Sequence, residues 1–286
     1  YWLQVALDVP LQGVFDYRSD VPVMRGLRVI VPFGRRQLIG VVVACPDQPS
    51  LPPESIKPIE RVLDDLPPLT PAWLDMAKFA SDYYQRPLGE VMLPVMPARL
   101  RSVAAYTRAQ SGDGPVAKQL AKQLAQLAKI NKKTTVDAKH DIAPEQRTED
   151  NRKNHLTAFQ LIQSTKPILQ LNTAQQAAVD TLTATDDYQT CLLFGVTGSG
   201  KTEVYLAAAA KVLESGRRVL FLVPEINLTP QFAASLQARL APYVKPDQIA
   251  LMHSGLTDTQ RQASWVRAAM GDAHIVVGTR MAIFAP

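Results

Sequence analysis

The sequence predicts an α/β multidomain chain with three parts: a small β-rich domain, a basic helical connector and a parallel sheet built on a phosphate-binding loop. Three observations carry this. Residues 1–63 hold alternating and β-branched runs between turn signals. Residues 101–170 carry 12 Lys/Arg against 6 Asp/Glu, while residues 1–100 and 171–286 are close to neutral. Residues 171–286 alternate helical and strand patterns around Gly195-Val196-Thr197-Gly198-Ser199-Gly200-Lys201-Thr202. The expected boundaries are therefore 1–100, 101–170 and 171–286.

Composition narrows the class. A chain of 286 residues with 47% hydrophobic and 20% charged residues has ample core for two or three domains. Its two cysteines, Cys45 and Cys191, lie far apart, so neither a disulfide framework nor a zinc site is expected. The default setting is then reduced and cytoplasmic. No apolar run approaches the ~18–20 residues of a membrane span, and no secretory pattern opens the chain, so no membrane partner is expected. The first residue is Tyr1 rather than Met, which reads as a trimmed N-terminus.

In the first part, Leu3, Val5, Leu7 and Val9 alternate with other residues, as in a half-buried strand. Leu27–Val31 and Ile39–Ala44 are β-branched runs joined by a hairpin-like Pro32–Gln37. Pro46–Pro53 is a loop, and Ile56–Leu63 is one further strand. A small barrel or sandwich follows. Thr70-Pro71 predicts a helix start, with Thr as N-cap and Pro in the first turn. Trp73, Met76, Ala77, Ala80, Tyr83 and Tyr84 mark its apolar face, and Pro87 and Gly89 its end. The aromatics are expected in the core.

The connector shows an amphipathic pattern at 116–130, a polar stretch at 131–154 and a short helix at 156–163. A reduced winged-helix module fits. Its basic excess suits either a nucleic-acid footprint or a solvated linker. His140 and His155 have no metal-ligand spacing around them and read as solvated surface.

In the last part, Thr173–Thr183 is a helix and Thr190–Phe194 a buried strand ahead of the phosphate loop. Val204, Tyr205, Ala208, Val212 and Leu213 then recur at helical spacing. Arg218–Val223, Ile249–Met252 and His274–Arg280 read as strands or strand ends; Pro230–Leu240 and Thr257–Ala269 read as helices. Ligands of such sheets sit at the carboxyl ends of the strands. The loop itself fits G-x-x-x-x-G-K-[ST]. Its glycines Gly195, Gly198 and Gly200, with Thr197 and Ser199, let backbone N–H groups turn toward phosphate. The helix N-terminus adds partial positive charge. Lys201 would sit on the β- and γ-phosphates of ATP, and the Thr202 hydroxyl would ligate Mg²⁺.

The order of the loops is more specific. After the phosphate loop come Val223-Pro224-Glu225-Ile226-Asn227-Leu228-Thr229-Pro230-Gln231, His253-Ser254-Gly255-Leu256 and Gly278-Thr279-Arg280. Phe15-Asp16-Tyr17 and Val31-Pro32-Phe33-Gly34-Arg35 stand near the N-terminus. Together these resemble the PriA family of replication-restart DNA helicases in superfamily 2. The resemblance covers 1–100 and 171–286 and is weak across 101–170. It implies a RecA-like partial helicase lobe 1, ATP and Mg²⁺ as cofactors, and DNA forks as substrate. Single-strand-binding protein and primosome proteins are the implied partners, in a bacterial cytoplasm.

Residue by residue, the resemblance implies that Gln175 reads adenine. Thr229, Gln231, Ser254, Gly255, Thr279 and Arg280 would touch the DNA strand. Phe15, Asp16, Gly34 and Lys57 would form a pocket for a leading-strand 3′-terminal nucleotide. An aromatic to stack, a small residue, a cation for phosphate and a carboxylate to accept from a 3′-hydroxyl make chemical sense. Read from the residues alone, Phe15 as core, Gly34 as a turn glycine and Asp16 as a turn cap stay open. One departure stands out: the family's Asp-Glu-x-His box does not occur in these residues. The expectation is an N-terminal fragment that binds DNA without hydrolysing ATP, with the family's zinc cysteines beyond it. A non-catalytic fork-binding and primosome-docking module is the competing class. A small-molecule P-loop kinase fits less well, because Pro-Glu, His-Ser-Gly and Gly-Thr-Arg loops stand where a substrate lid would be expected.

Overall fold

Five strands, β1 (Trp2–Leu7), β2 (Phe15–Arg18), β3 (Arg28–Phe33), β4 (Arg36–Ala44) and β5 (Arg61–Leu63), form an antiparallel sheet of order β2-β1-β4-β3-β5. The computed structural model describes residues 1–107, 171–224 and 230–286. Leu3, Val5 and Leu7 of β1 point into a core shared with Tyr17, Val29, Val31 and Val42, as the alternation requires. Val9 lies past the end of β1 and packs only partly against that core. The β3–β4 hairpin is tighter than expected: Phe33 pairs with Arg36, leaving Gly34-Arg35 as a two-residue turn. Gly34 sits at φ 59°, a left-handed conformation that favours glycine.

Only the last three residues of the strand expected at Ile56–Leu63 join the sheet. Upstream, Lys57 and Ile59 bond instead to the outer edge of β2. Arg18 N–H donates to Lys57 O at 3.0 Å, and Ile59 N–H donates to Arg18 O at 2.9 Å. Glu60 N–H then donates to Ile30 O of β3 at 2.8 Å. Both edges of the sheet are thus reached within three residues, about 10 Å of extended chain. The sheet therefore curls back on itself toward a small barrel rather than stacking as a sandwich.

Helix α1 (Pro71–Tyr84) starts as predicted, with Thr70 Oγ1 accepting from Trp73 N–H at 3.2 Å. Trp73, Leu74, Ala77 and Ala80 are buried. Tyr83 and Tyr84 are not: they are 69% and 71% exposed, beside Phe79 at 67%. Phe79 and Tyr83 lie about 80–120° round the helix from Trp73, on a second stripe, and stack with centroids 5.8 Å apart. Tyr84 is the last helical residue, followed by left-handed Gln85 at φ 53°. The helix therefore stops before Pro87. Gly89 is not a terminator either; it lies within α2 (Leu88–Met92), where a Cβ would come within 1.8 Å of Leu7 O. It is the contact that lets α2 lie directly on β1.

A buried polar cluster ties helix α3 (Val103–Thr107) to the sheet. Arg28 donates from Nη1 to Leu100 O at 2.9 Å and to Tyr106 Oη at 2.7 Å, and from Nη2 to Asp65 Oδ1 at 2.5 Å. Tyr106 Oη–H donates to Asp65 Oδ2 at 3.1 Å. Both Nη groups of Arg28 and both oxygens of Asp65 have a partner, as burying an ion pair without a large penalty requires.

The other compact unit is built on a parallel sheet of order β6-β8-β7. Its elements are α4 (Thr173–Leu182), α5 (Lys201–Glu214), β6 (Val219–Leu222), α6 (Pro230–Leu240), β7 (Ile249–Met252) and β8 (Ile275–Gly278). A further helix, α7 (Asp258–Met270), lies between β7 and β8 in sequence. Leu206, Leu236, Leu240, Ile249, Ile275 and Val277 form the core. The strand expected at Thr190–Phe194 does not form: Leu192 and Phe194 are 88% and 93% exposed. An apolar run becomes a strand only where a neighbouring backbone takes its N–H and C=O groups, and among the described residues none does. β6 is likewise only half-buried, with Leu220 and Leu222 exposed. The expected helices at 116–130 and 156–163, the stretch 131–154 with His140, and His155 lie outside the described residues.

Candidate functional site

Two sites take shape, one in each unit. In the first, Phe15, Asp16, Gly34 and Lys57 line a single cavity of about 520 Å³, with Gln4, Tyr17, Phe33, Ser50, Leu51 and Ser55 among its other walls. Four residues spread over 43 positions of sequence meet because β2 and the β3–β4 turn face the same loop. Phe15 stands edge-on to Phe33, with centroids 5.2 Å apart and planes at 80°. It is partly buried, packing against the core of the sheet while also lining the cavity. Asp16 accepts from Ser50 N–H at 3.1 Å through Oδ2. Lys57 is exposed and is placed by its own main chain, which bonds to Arg18. Gly34 has open space where a Cβ would stand, so its left-handed turn accounts for the glycine. Tyr17 donates to Pro32 O at 3.0 Å, and burial pushes its phenol up to about 12. It holds the floor of the cavity as a neutral donor.

Apart from Lys57, the walls outside β2 and the turn were not expected from sequence. The Pro46–Pro53 stretch reads only as a loop, yet it brings Ser50 and Leu51 to the cavity. Gln4 offered one signal: it is a polar residue on an otherwise apolar strand, and it pairs directly with Asp16 in the β1–β2 register.

In the second unit, the phosphate loop runs into α5 with Gly200 as the helix N-cap. Gly198 and Gly200 stand at φ 83° and 81°, the conformation that turns successive N–H groups toward one point. Lys201 Nζ donates to Gly195 O at 2.6 Å and Val196 O at 2.8 Å, curling over the loop. Thr202 is exposed in the first turn of α5. Thr197 and Ser199 are exposed on the loop. Glycine geometry, helix N-terminus, amine and hydroxyl together fit an ATP polyphosphate with Mg²⁺. Gln175 closes a capping box: its Oε1 accepts from Asn172 N–H at 2.9 Å, while its own N–H donates to Asn172 Oδ1 at 2.9 Å. Its Nε2 also donates to Ser199 O at 3.2 Å, so it braces the phosphate loop directly.

Ser254–Gly255 and Thr279–Arg280 follow the carboxyl ends of β7 and β8, which are neighbours in the sheet. Thr279 N–H donates to Met252 O at 3.2 Å, fixing the two loops side by side. Arg280 is exposed. Residues 225–229, with Thr229, and the side chain of Gln231 lie outside the described residues.

Comparison with known proteins matches both sites to domains. Residues 4–97 match the family described as 3′DNA-binding domain (3′BD), and residues 172–285 match the DEAD/DEAH box helicase family. The chain is thus of the class that joins a 3′ DNA-binding domain to a DEAD/DEAH box helicase domain. It is 34% identical to the replication restart protein PriA of Haemophilus influenzae over 99% of this chain and 42% of that protein. It is 30% identical to that of Treponema pallidum over 100% of this chain and 36% of that protein. For that of Bacillus subtilis the figures are 28%, 99% and 47%. The chain belongs to the PriA family, and it spans less than half the length of these curated relatives.

Proposed function

We propose that the protein containing this chain is an ATP-dependent 3′-to-5′ DNA helicase that finds stalled replication forks by the leading-strand 3′ end. It then restarts replication by assembling a primosome, with single-strand-binding protein and primosome proteins as partners in the bacterial cytoplasm. One observation carries the reading: Phe15, Asp16, Gly34 and Lys57 line one cavity of about 520 Å³, sized for a single nucleotide rather than a duplex.

In that cavity Phe15 stacks on the terminal base, and stacking tolerates any base. The Asp16 carboxylate accepts from the 3′-hydroxyl, and Lys57 meets the adjoining phosphate. These contacts position a strand end without reading its sequence. In the second unit, Lys201 and the loop amides hold the β- and γ-phosphates of ATP, and Thr202 ligates Mg²⁺. Gln175 holds the loop and keeps one N–H and one lone pair for adenine. Ser254, Gly255, Thr279 and Arg280, with Thr229 and Gln231, meet the DNA backbone. A nucleotide loop and DNA loops within one unit are the arrangement by which hydrolysis is coupled to movement along a strand. The Asp-Glu pair of the acidic box is missing from these 286 residues, so by themselves they bind DNA without turning over ATP.

Fluorescence anisotropy with two forks at one fixed salt concentration tests the reading. One fork carries a leading strand ending in 3′-hydroxyl, the other in 3′-phosphate. The hydroxyl fork should bind more tightly, and Asp16→Ala should remove the difference. Equal binding by the unaltered chain would reject the terminal-nucleotide pocket.

A further inference from the structure

We propose that Ser50 is a positioning residue for 3′-end recognition, its backbone N–H fixing the Asp16 carboxylate so that one oxygen is left for the terminal hydroxyl. The inference rests on the 3′-end reading of the cavity and adds a residue outside the four expected from sequence.

The geometry starts in the sheet. Gln4 of β1 and Asp16 of β2 are directly opposed partners, so their side chains leave the same face side by side. Ser50, 34 residues from Asp16 in sequence, lies over both. Its N–H donates to Asp16 Oδ2 at 3.1 Å, and its Oγ accepts from Gln4 Nε2 at 3.4 Å. Two cross-strand neighbours thus hold one loop residue, through its backbone and its side chain respectively.

The loop suits this task. Pro46, Pro49, Pro52 and Pro53 restrict its backbone. Its far end is sewn to β2 by the Arg18–Lys57 and Ile59–Arg18 bonds. Ser50 therefore sits on a stretch with anchors on both sides. Its amide is a donor fixed in direction, unlike a side-chain donor that can rotate away.

The consequence for the ligand is stereochemical. A carboxylate that is free to spin about its Cβ–Cγ bond offers a 3′-hydroxyl either oxygen at any angle. With Oδ2 held, rotation is blocked. Oδ1 makes no hydrogen bond to another described residue, and it remains as the acceptor. A hydroxyl can donate to it. A 3′-phosphate brings negative charge against it, and a 3′-deoxy end has nothing to donate. Ser50 thereby sharpens the choice among strand ends without touching the strand.

The amide and the hydroxyl can be separated. Ser50→Pro removes the N–H, whereas Ser50→Ala keeps it and removes only the contact to Gln4. Anisotropy with forks ending in 3′-hydroxyl, 3′-deoxy and 3′-phosphate reads the selectivity. The unaltered chain should favour the hydroxyl end. Ser50→Pro should lose about tenfold of that preference, the scale of one charge-assisted hydrogen bond, and Ser50→Ala should stay within about twofold. Unchanged selectivity in Ser50→Pro overturns the proposal, as does an equal loss in Ser50→Ala. No preference in the unaltered chain rejects the 3′-end pocket itself, a different outcome. A measurement without a Ser50 variant guards against a misfolded proline form. In ¹⁵N-labelled protein the Ser50 amide should exchange slowly with solvent and lose that protection in Asp16→Ala. An amide that exchanges equally fast in both overturns the proposal.

Discussion

The cavity of the N-terminal unit and the phosphate loop of the second unit are built on different principles. The cavity is made of side chains fixed by strand register: Gln4 opposes Asp16, Phe15 meets Phe33, and Lys57 is placed by main-chain bonds to β2. The phosphate loop is made of backbone. Gly198 and Gly200 set its curve, Lys201 bonds to the loop's own carbonyls, and Gln175 braces it from α4. The surroundings differ as well. The cavity backs onto a closed apolar core. The run leading into the loop, from Tyr188 to Val196, exposes Tyr188, Leu192, Phe194 and Val196. A side-chain pocket needs the whole sheet in place, whereas a backbone loop needs only its glycines and the helix that follows.

Substitutions should therefore separate the two. The largest effect expected is on catalysis. In the longer protein, Lys201→Ala should lower ATP hydrolysis on the order of a hundredfold or more, the scale of losing a preorganised group from a developing charge. Fork binding by the N-terminal unit should change by less than about twofold. ATPase and anisotropy assays on one preparation check both, and retained hydrolysis would remove the phosphate-loop assignment.

Next in size is the buried cluster around Arg28. Arg28→Ala strands Asp65 beside Tyr106 and should destabilise the N-terminal unit by about 3–5 kcal/mol. Urea unfolding followed by Trp fluorescence reads this. Nucleotide binding by the second unit should be untouched, and a parallel loss there would erase the contrast drawn above.

Phe15→Ala should weaken binding to a 3′-hydroxyl fork by about tenfold through lost stacking. The effect should be the same for all four terminal bases; a strong base dependence would mean the cavity reads edges rather than faces.

The smallest effect is on alkaline stability. Burial raises the Tyr17 phenol to about 12, above its ordinary value of roughly 10. The proton is thus held more tightly in the folded chain. The resulting stability is complete below about pH 10 and is lost as pH rises toward 12. Absorbance at the phenolate band should show Tyr17 titrating late, in step with loss of the N-terminal fold. Tyr17→Phe should flatten that dependence.

Much of this was legible in the residues. Alternation at Leu3, Val5 and Leu7 placed β1, and Thr70-Pro71 placed the start of α1 to the residue. The phosphate loop was legible because its chemistry depends on glycines, a lysine and a threonine at fixed spacing along one stretch. Failures share a cause. Thr190–Phe194 has the composition of a strand but no pairing partner among the described residues, and composition cannot supply one. Tyr83 and Tyr84 looked like core because the helical stripe was drawn too wide. Gly89 looked like a stop because its use is a contact with Leu7, 82 positions away.

By itself the sequence determined what depends on local order: the phosphate loop, the helix start at Thr70, the alternation that buries one face of β1, and the loops that mark the PriA family. Only tertiary structure decided what depends on distance. It placed Ser50 over Asp16, closed the barrel edge through Lys57 and Ile59, and buried Arg28 with Asp65 and Tyr106. The physical reason is range. Spacing along a chain fixes which residues share a turn or a face, but a hydrogen bond across 34 positions exists only once the sheet has brought its two ends within about 3 Å.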